Sequence, residues 1–116
     1  MAFKFYSPQN YVTDGAKVEL FLRFVPLSVE FVRIPWDQGK SPEYLKEYPL
    51  EKVPTLETSE GCIFKSMAIL RYLARTVGKY YGNSPAETAI IDQWLEFTNI
   101  RFNPHTIRTI YCSLGY

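Results

Sequence analysis

Ser66 opens the run Ser66-Met67-Ala68-Ile69-Leu70, and a hydroxyl at a helix start can do two things with one geometry. It can cap the helix, worth about 1 kcal/mol. It can equally join the unsatisfied backbone N–H groups and the helix dipole in holding an anion. The other reactive side chains are scattered. His105, the single histidine, follows Pro104 in what reads as a late loop with no organised acid beside it, so it supports no metal site. Cys62 and Cys112 form no Cys-x-x-Cys pair, which argues against a thioredoxin-type redox centre and a zinc cluster and leaves both as small buried apolar side chains. There is no glycine loop to cradle phosphates and no nucleophile elbow.

The elements that must position Ser66 are legible around it. Pro54 cannot donate to a ladder, so it belongs at the start of a strand, and Val53 before it is pushed towards extended geometry. Thr55-Leu56-Glu57, a turn carrying Gly61 and Cys62-Ile63-Phe64 make a hairpin that feeds the Ser66 helix. In that helix Ile69, Leu70, Leu73, Ala74 and Val77 fall on one face, Arg71 and Arg75 point elsewhere, and Gly78 offers a left-handed stop.

From the N-terminus, Ala2 to Tyr6 alternates around Phe3 and Phe5 and reads as a strand that Ser7-Pro8-Gln9-Asn10 breaks. Thr13 to Val25 is dense enough in apolar residues for a mostly buried helix, with Thr13 or Asp14 as its cap, and Val29 to Ile34 reads as a second strand on a parallel crossover. Pro35 to Lys40 is a loop carrying Trp36; Ser41-Pro42-Glu43 announces a short helix closed by Pro49. After residues 79–83, a linker, Ser84-Pro85-Ala86-Glu87 is a capping box. It starts a helix bearing Ile90, Ile91, Trp94, Leu95 and Phe97, which Pro104 is expected to break before a further turn or two through Ile107, Ile110, Tyr111 and Leu114.

At 116 residues with 47% hydrophobic content the chain has material for a core, and one compact body is expected. A net charge of +1, from 13 basic and 12 acidic residues, gives no electrostatic reason for a nucleic acid or a membrane surface as partner. No apolar run approaches the roughly 20 residues of a membrane span, and Met1 to Tyr6 turns polar too soon for a secretory signal. A cytoplasmic protein is expected.

The order Val53-Pro54-x-Leu56, hairpin, Ser66-x-Ala68-Ile69-x-x-Tyr72-Leu73 resembles the thioredoxin-like N-terminal domain of the cytosolic glutathione transferases and their non-enzymatic relatives. The resemblance implies an α/β fold, a thioredoxin-like βαβ-α-ββα domain over residues 1–78, and the start of an all-α domain over 84–116. It also implies roles. Val53, before a cis Pro54, would offer its backbone to the cysteinyl part of glutathione; Ser66 would hold the γ-glutamyl carboxylate; Lys52 would touch the glycine carboxylate, against a plainer reading as a solvated edge lysine. Lys65 stands where the family usually carries Glu or Gln to accept from the ligand amine, and a lysine can only donate, so it is expected to face solvent.

An enzyme of this family needs a hydroxyl near the end of the first strand that donates to the glutathione thiolate and lowers its pKa. Tyr6, Ser7, Tyr11 and Thr13 sit in that window, Ser7 and Thr13 being the catalytic candidates, yet each also reads simply as a strand-end or turn residue. Trp36, Tyr44, Tyr48, Tyr80 and Tyr81 read as core or interface packing before they read as a binding surface.

Within this group, Ser41 to Pro49, Lys52-Val53-Pro54, Ile63 to Ile69, and Ser84 to Glu87 followed by Ile91-Asp92-Gln93-Trp94-Leu95-Glu96-Phe97 resemble the gamma-subunit family of translation elongation factor 1. That resemblance implies a non-catalytic scaffold that assembles with other protein subunits, with a dimer as one possible arrangement. No cofactor or metal is required, and glutathione is a possible ligand. The alternative is a glutathione transferase, or its glutathione-binding half, that conjugates glutathione to electrophiles. The apolar Ile90, Ile91, Trp94 and Phe97 need cover from a partner or from further chain, while the short helical part, Lys65 and the lack of a clear activating hydroxyl favour the scaffold.

Overall fold

The computed structural model describes residues 2–9, 13–35, 42–47 and 53–115, with the side chains of Thr13, Glu43, Tyr44, Glu47 and Leu114 excepted. The chain divides into two compact units, residues 1–70 and 71–116.

The first unit is built on a four-stranded sheet in the order β2-β1-β3-β4. β1 (Phe3–Pro8) lies parallel to β2 (Val29–Ile34), in register from Phe3 against Val29 to Pro8 against Ile34. On its other side β1 is antiparallel to β3 (Thr55–Thr58), which forms a hairpin with β4 (Gly61–Phe64). Two parallel strands joined to an antiparallel pair is the thioredoxin-like plan. β1 outruns its expected end at Tyr6: Ser7 and Pro8 stay in the ladder opposite Arg33 and Ile34, and Gln9 donates to the Ile34 carbonyl. Proline is tolerated because Pro8 is the last strand residue, where its missing N–H leaves the ladder intact.

Alternation along β1 divides the sheet. Phe5 and Ser7 are buried on one face; Lys4 and Tyr6 are on the other, where Glu57 of β3 takes an ion pair from Lys4 at 3.8 Å and a hydrogen bond from the Tyr6 hydroxyl at 2.7 Å. α1 (Thr13–Phe24) is amphipathic rather than mostly buried. Val18 and Leu22, one turn apart, are inside with Val25, while Leu20 and Phe24 face water. Gly15 passes close over the end of β1, where a Cβ would stand 3.5 Å from that of Ser7. α2 (Pro42–Glu47) begins on its proline, the position where a missing N–H costs nothing. Ser41 and Pro49, its expected cap and stop, lie outside the described residues.

α3 (Ser66–Val77) buries Met67, Ile69, Leu73 and Ala74 and stops at Gly78, whose φ of +68° supplies the left-handed stop. In the second unit Gly82 is required: its φ is +77°, and a Cβ there would lie 2.7 Å from that of Glu87 and 2.9 Å from the Thr88 nitrogen. α4 (Pro85–Phe97) is capped by Ser84, whose hydroxyl accepts from the Glu87 N–H at 3.2 Å. The Glu87 carboxylate reaches one residue further back than a capping box requires, to the N–H of Asn83.

Pro104 does not break the second helix. A π-helical turn, Thr98–Phe102, carries the chain from α4 into α5 (Asn103–Leu114), with the Asn103 N–H reaching back to the Thr98 carbonyl. Pro104 thereby becomes an early residue of α5, where its missing N–H is harmless. Gly115, at φ +83°, ends α5.

Arg71 ties the second unit together, donating to Asp92 at 2.6 Å and to Glu96 at 2.8 Å, while the buried Tyr81 hydroxyl donates to the same Asp92 oxygen at 2.7 Å. Arg75 lies over the Tyr81 ring, 4.6 Å from its centroid. Hydrogen bonds from Arg71 and Tyr81 hold the Asp92 carboxyl below the ordinary aspartate range, and burial together with that bond raises Tyr81. α4 has no buried residue: Ile90, Trp94 and Phe97 are each more than half exposed, with Trp94 and Phe97 ring edge to ring face at 5.8 Å between centroids.

Candidate functional site

The start of α3, the strand entry at Val53-Pro54 and the start of α1, the parts of the cradle that the family resemblance implies, all belong to the first unit. The Val53-Pro54 peptide bond is cis. Val53 is half-buried and Pro54 buried, ahead of a buried Thr55 and Leu56. Lys52 lies outside the described residues. Lys65 is exposed, and its φ of +73° turns the chain from β4 into α3. For a residue with a Cβ that region costs of order 1 kcal/mol, held here by the hairpin on one side and the helix on the other.

Ser66 is the first residue of α3, and its hydroxyl is engaged. Its Oγ donates at 3.0 Å to Oδ1 of Asp14, in the first turn of α1 and 52 positions away in sequence. The same carboxylate oxygen is 2.7 Å from the Lys17 ammonium, one turn along α1. Asp14 is therefore not the cap of α1; its charge is directed at α3, where a negative group meets the favourable end of the helix dipole. No sequence signal connects Asp14 with Ser66, because only the fold brings the two helix starts together.

The candidate activating hydroxyls have separate fates. Tyr6 donates to Glu57. Ser7 is 2% exposed, and its Oγ accepts from Nη1 of Arg33 at 2.7 Å. Arg33 also reaches Glu19 at 2.6 Å, and Arg23 reaches the same carboxylate at 2.7 Å while its guanidinium lies over the Phe31 ring. Burial alone would push the Glu19 carboxyl up; the two guanidiniums outweigh it and hold it below the ordinary glutamate range. Ser7 is thus the end of an internal network, and a dissolved thiol finds almost no surface on it. Thr13 is the first residue of α1, its side chain outside the description; Tyr11 lies outside the described residues.

The remaining reactive groups do not converge. Both cysteines are exposed rather than buried: Cys62 is on β4, which is an edge of the sheet among the described residues, and Cys112 is on α5. His105 is exposed on α5, not in a loop. Of the aromatics, Tyr81 is buried and Tyr80 exposed; Trp36 and Tyr48 and the Tyr44 side chain lie outside the description. Among the described residues no His, Cys, Asp and Glu group could hold a metal ion, and no helix is long and apolar enough to cross a membrane.

Comparison with known proteins gives a consistent picture. Residues 10–75 match the family model of the glutathione S-transferase N-terminal domain. The chain is 38% identical over 117 residues to elongation factor 1-gamma 1 of Oryza sativa subsp. japonica, an alignment covering 99% of this chain and 25% of that protein. It is 43% identical over 80 residues to probable elongation factor 1-gamma 2 of Arabidopsis thaliana, covering 67% of this chain and 19% of that one. The chain thus spans at most about a quarter of the length of these relatives. Among solved structures, poplar glutathione transferase F1 superposes with a TM-score of 0.84 at 27% identity, over 96% of this chain and 55% of that one.

Proposed function

The chain belongs to the glutathione S-transferase N-terminal domain family, and on that premise we propose that it is a transferase-like scaffold module without catalysis, built into an assembly of the translation elongation factor 1 type as a gamma-like subunit. The observation that carries this reading is the likeness to elongation factor 1-gamma along nearly the whole chain, through both units. The geometry supports it. Ser7, which a transferase would need as an accessible donor, is buried against Arg33, and Lys65 presents a cation where an acceptor for the ligand amine belongs. The exposed Ile90, Trp94 and Phe97 supply the kind of apolar surface that further protein covers in an assembly. Residues 79–83 serve as a linker, and 84–116 as the first helices of an all-α domain. Its partners are other protein subunits, its place is the cytoplasm, and no cofactor is needed.

A glutathione transferase is the second reading, favoured by the likeness to the poplar transferase. A conjugation assay with glutathione and a chlorodinitroaromatic electrophile separates the two. The scaffold reading expects no rate above the uncatalysed background at neutral pH; turnover that falls when Ser66 is replaced by Ala would overturn it.

A further inference from the structure

We propose that Asp14 is an internal lock on the cradle: its carboxylate occupies the place against Ser66 that a ligand carboxylate would have to take. The inference rests on the scaffold reading and gives it a residue-level cause.

Two contacts meet at one oxygen, and a turn presents one of them. Oδ1 of Asp14 accepts from the Ser66 hydroxyl at 3.0 Å, so the hydroxyl hydrogen is spent within the chain. The Lys17 ammonium is 2.7 Å from that oxygen and offsets its charge. Lys65, exposed and in the left-handed region, holds the turn that presents Ser66. The bond bridges the starts of α1 and α3. An incoming carboxylate would meet a like charge at contact distance and would need Ser66 to abandon a charge-assisted hydrogen bond. The Asp14 side chain is 41% exposed. It can therefore be replaced without opening a cavity, which makes the lock separable from the fold.

The test is calorimetric titration of glutathione into the protein and its variants, with far-ultraviolet circular dichroism to verify that each is folded. The wild type gives no measurable heat of binding at millimolar ligand, whereas Asp14→Ala, with the Ser66 hydroxyl released and the like charge gone, gains affinity by about tenfold or more. Asp14→Asn removes the charge but can still accept from Ser66, so it gains less. Asp14→Ala with Ser66→Ala loses the gain, because the freed hydroxyl is the group that takes the ligand. If Asp14→Ala binds no better than the wild type, or if the wild type binds and Asp14→Ala binds more weakly, the lock is wrong and in the second case Asp14 is a ligand-holding group. Wild-type conjugation of the electrophile sinks the scaffold reading; a silent wild type with an equally silent Asp14→Ala sinks only the lock.

Discussion

Replacing Phe5 with Ala is expected to lower the stability of the protein by about 3–5 kcal/mol, a large share of the roughly 5–15 kcal/mol of a domain of ordinary stability. Phe5 is fully buried at the centre of β1, paired with Phe31 of β2 and Leu56 of β3, and its ring meets Phe31 edge to face at 6.2 Å. Truncation removes the ring's burial and its aromatic contact and leaves a hole that three strands cannot jointly close. Phe5→Leu keeps most of the volume and is expected to cost no more than about 1.5 kcal/mol. Lys4→Ala, one residue earlier but on the other face of the sheet, is expected to stay within about 0.5 kcal/mol of the wild type, since its ion pair with Glu57 is exposed and long. Urea unfolding followed by tryptophan fluorescence and circular dichroism measures all three. Equal losses from Phe5→Ala and Lys4→Ala would mean that the two faces of β1 are not divided as described. The consequence reaches the cradle, because Thr55 and Leu56, which follow the cis Val53-Pro54 bond, are held in register by the same strand.

The second large effect is at Glu19. Its carboxylate is almost fully buried, and losing it strands Arg33, which also holds Ser7, together with Arg23 over the Phe31 ring. Glu19→Ala is expected to cost about 2–3 kcal/mol, less than a fully buried pair because Arg23 and Arg33 can turn towards water. The effect depends on pH with a definite sign. The folded-state carboxyl lies below its unfolded value, so Glu19 contributes its full stabilisation above the unfolded pKa of about 4.3 and loses it as pH falls through the folded value. The gap between wild type and Glu19→Ala should therefore be widest near neutrality and narrow in acid. Unfolding midpoints compared at neutral pH and at the lowest pH where both proteins fold measure this; a gap that does not change with pH contradicts the assignment.

The sequence carried the plan of the first unit because that plan is local chemistry. Pro54 marks a strand entry, Val29 to Ile34 is β-branched, and Met67, Ile69, Leu73 and Ala74 keep the spacing of one helical face. Where the reading missed, the deciding partner was distant or the backbone adapted. Ser7 and Pro8 look like a strand end until Arg33 and Ile34 come alongside them. The apolar density that includes Leu20 and Phe24 suggests a mostly buried α1, but only the side that carries Val18, Leu22 and Val25 meets the core. Pro104 is a helix breaker in isolation, and the π-helical turn before it makes room for it. Cys62 reads as a small core residue by type, yet β4 is an edge strand and leaves it in water.

The cradle divides the same way. Pro54 and Ser66 are legible from spacing and family likeness, whereas Asp14 gave no sign beyond a possible cap, since its partner lies 52 residues on. Arg71 likewise looks like a solvated helix residue until α4 brings Asp92 and Glu96 to it.

Native mass spectrometry of the tagged protein, recovered at its full cellular length from its own cells, tests the central claim most directly. The account predicts a defined heteromeric assembly with other protein subunits at fixed stoichiometry, with no glutathione mass on this chain. A species made of this protein alone, carrying one glutathione per chain, would contradict it.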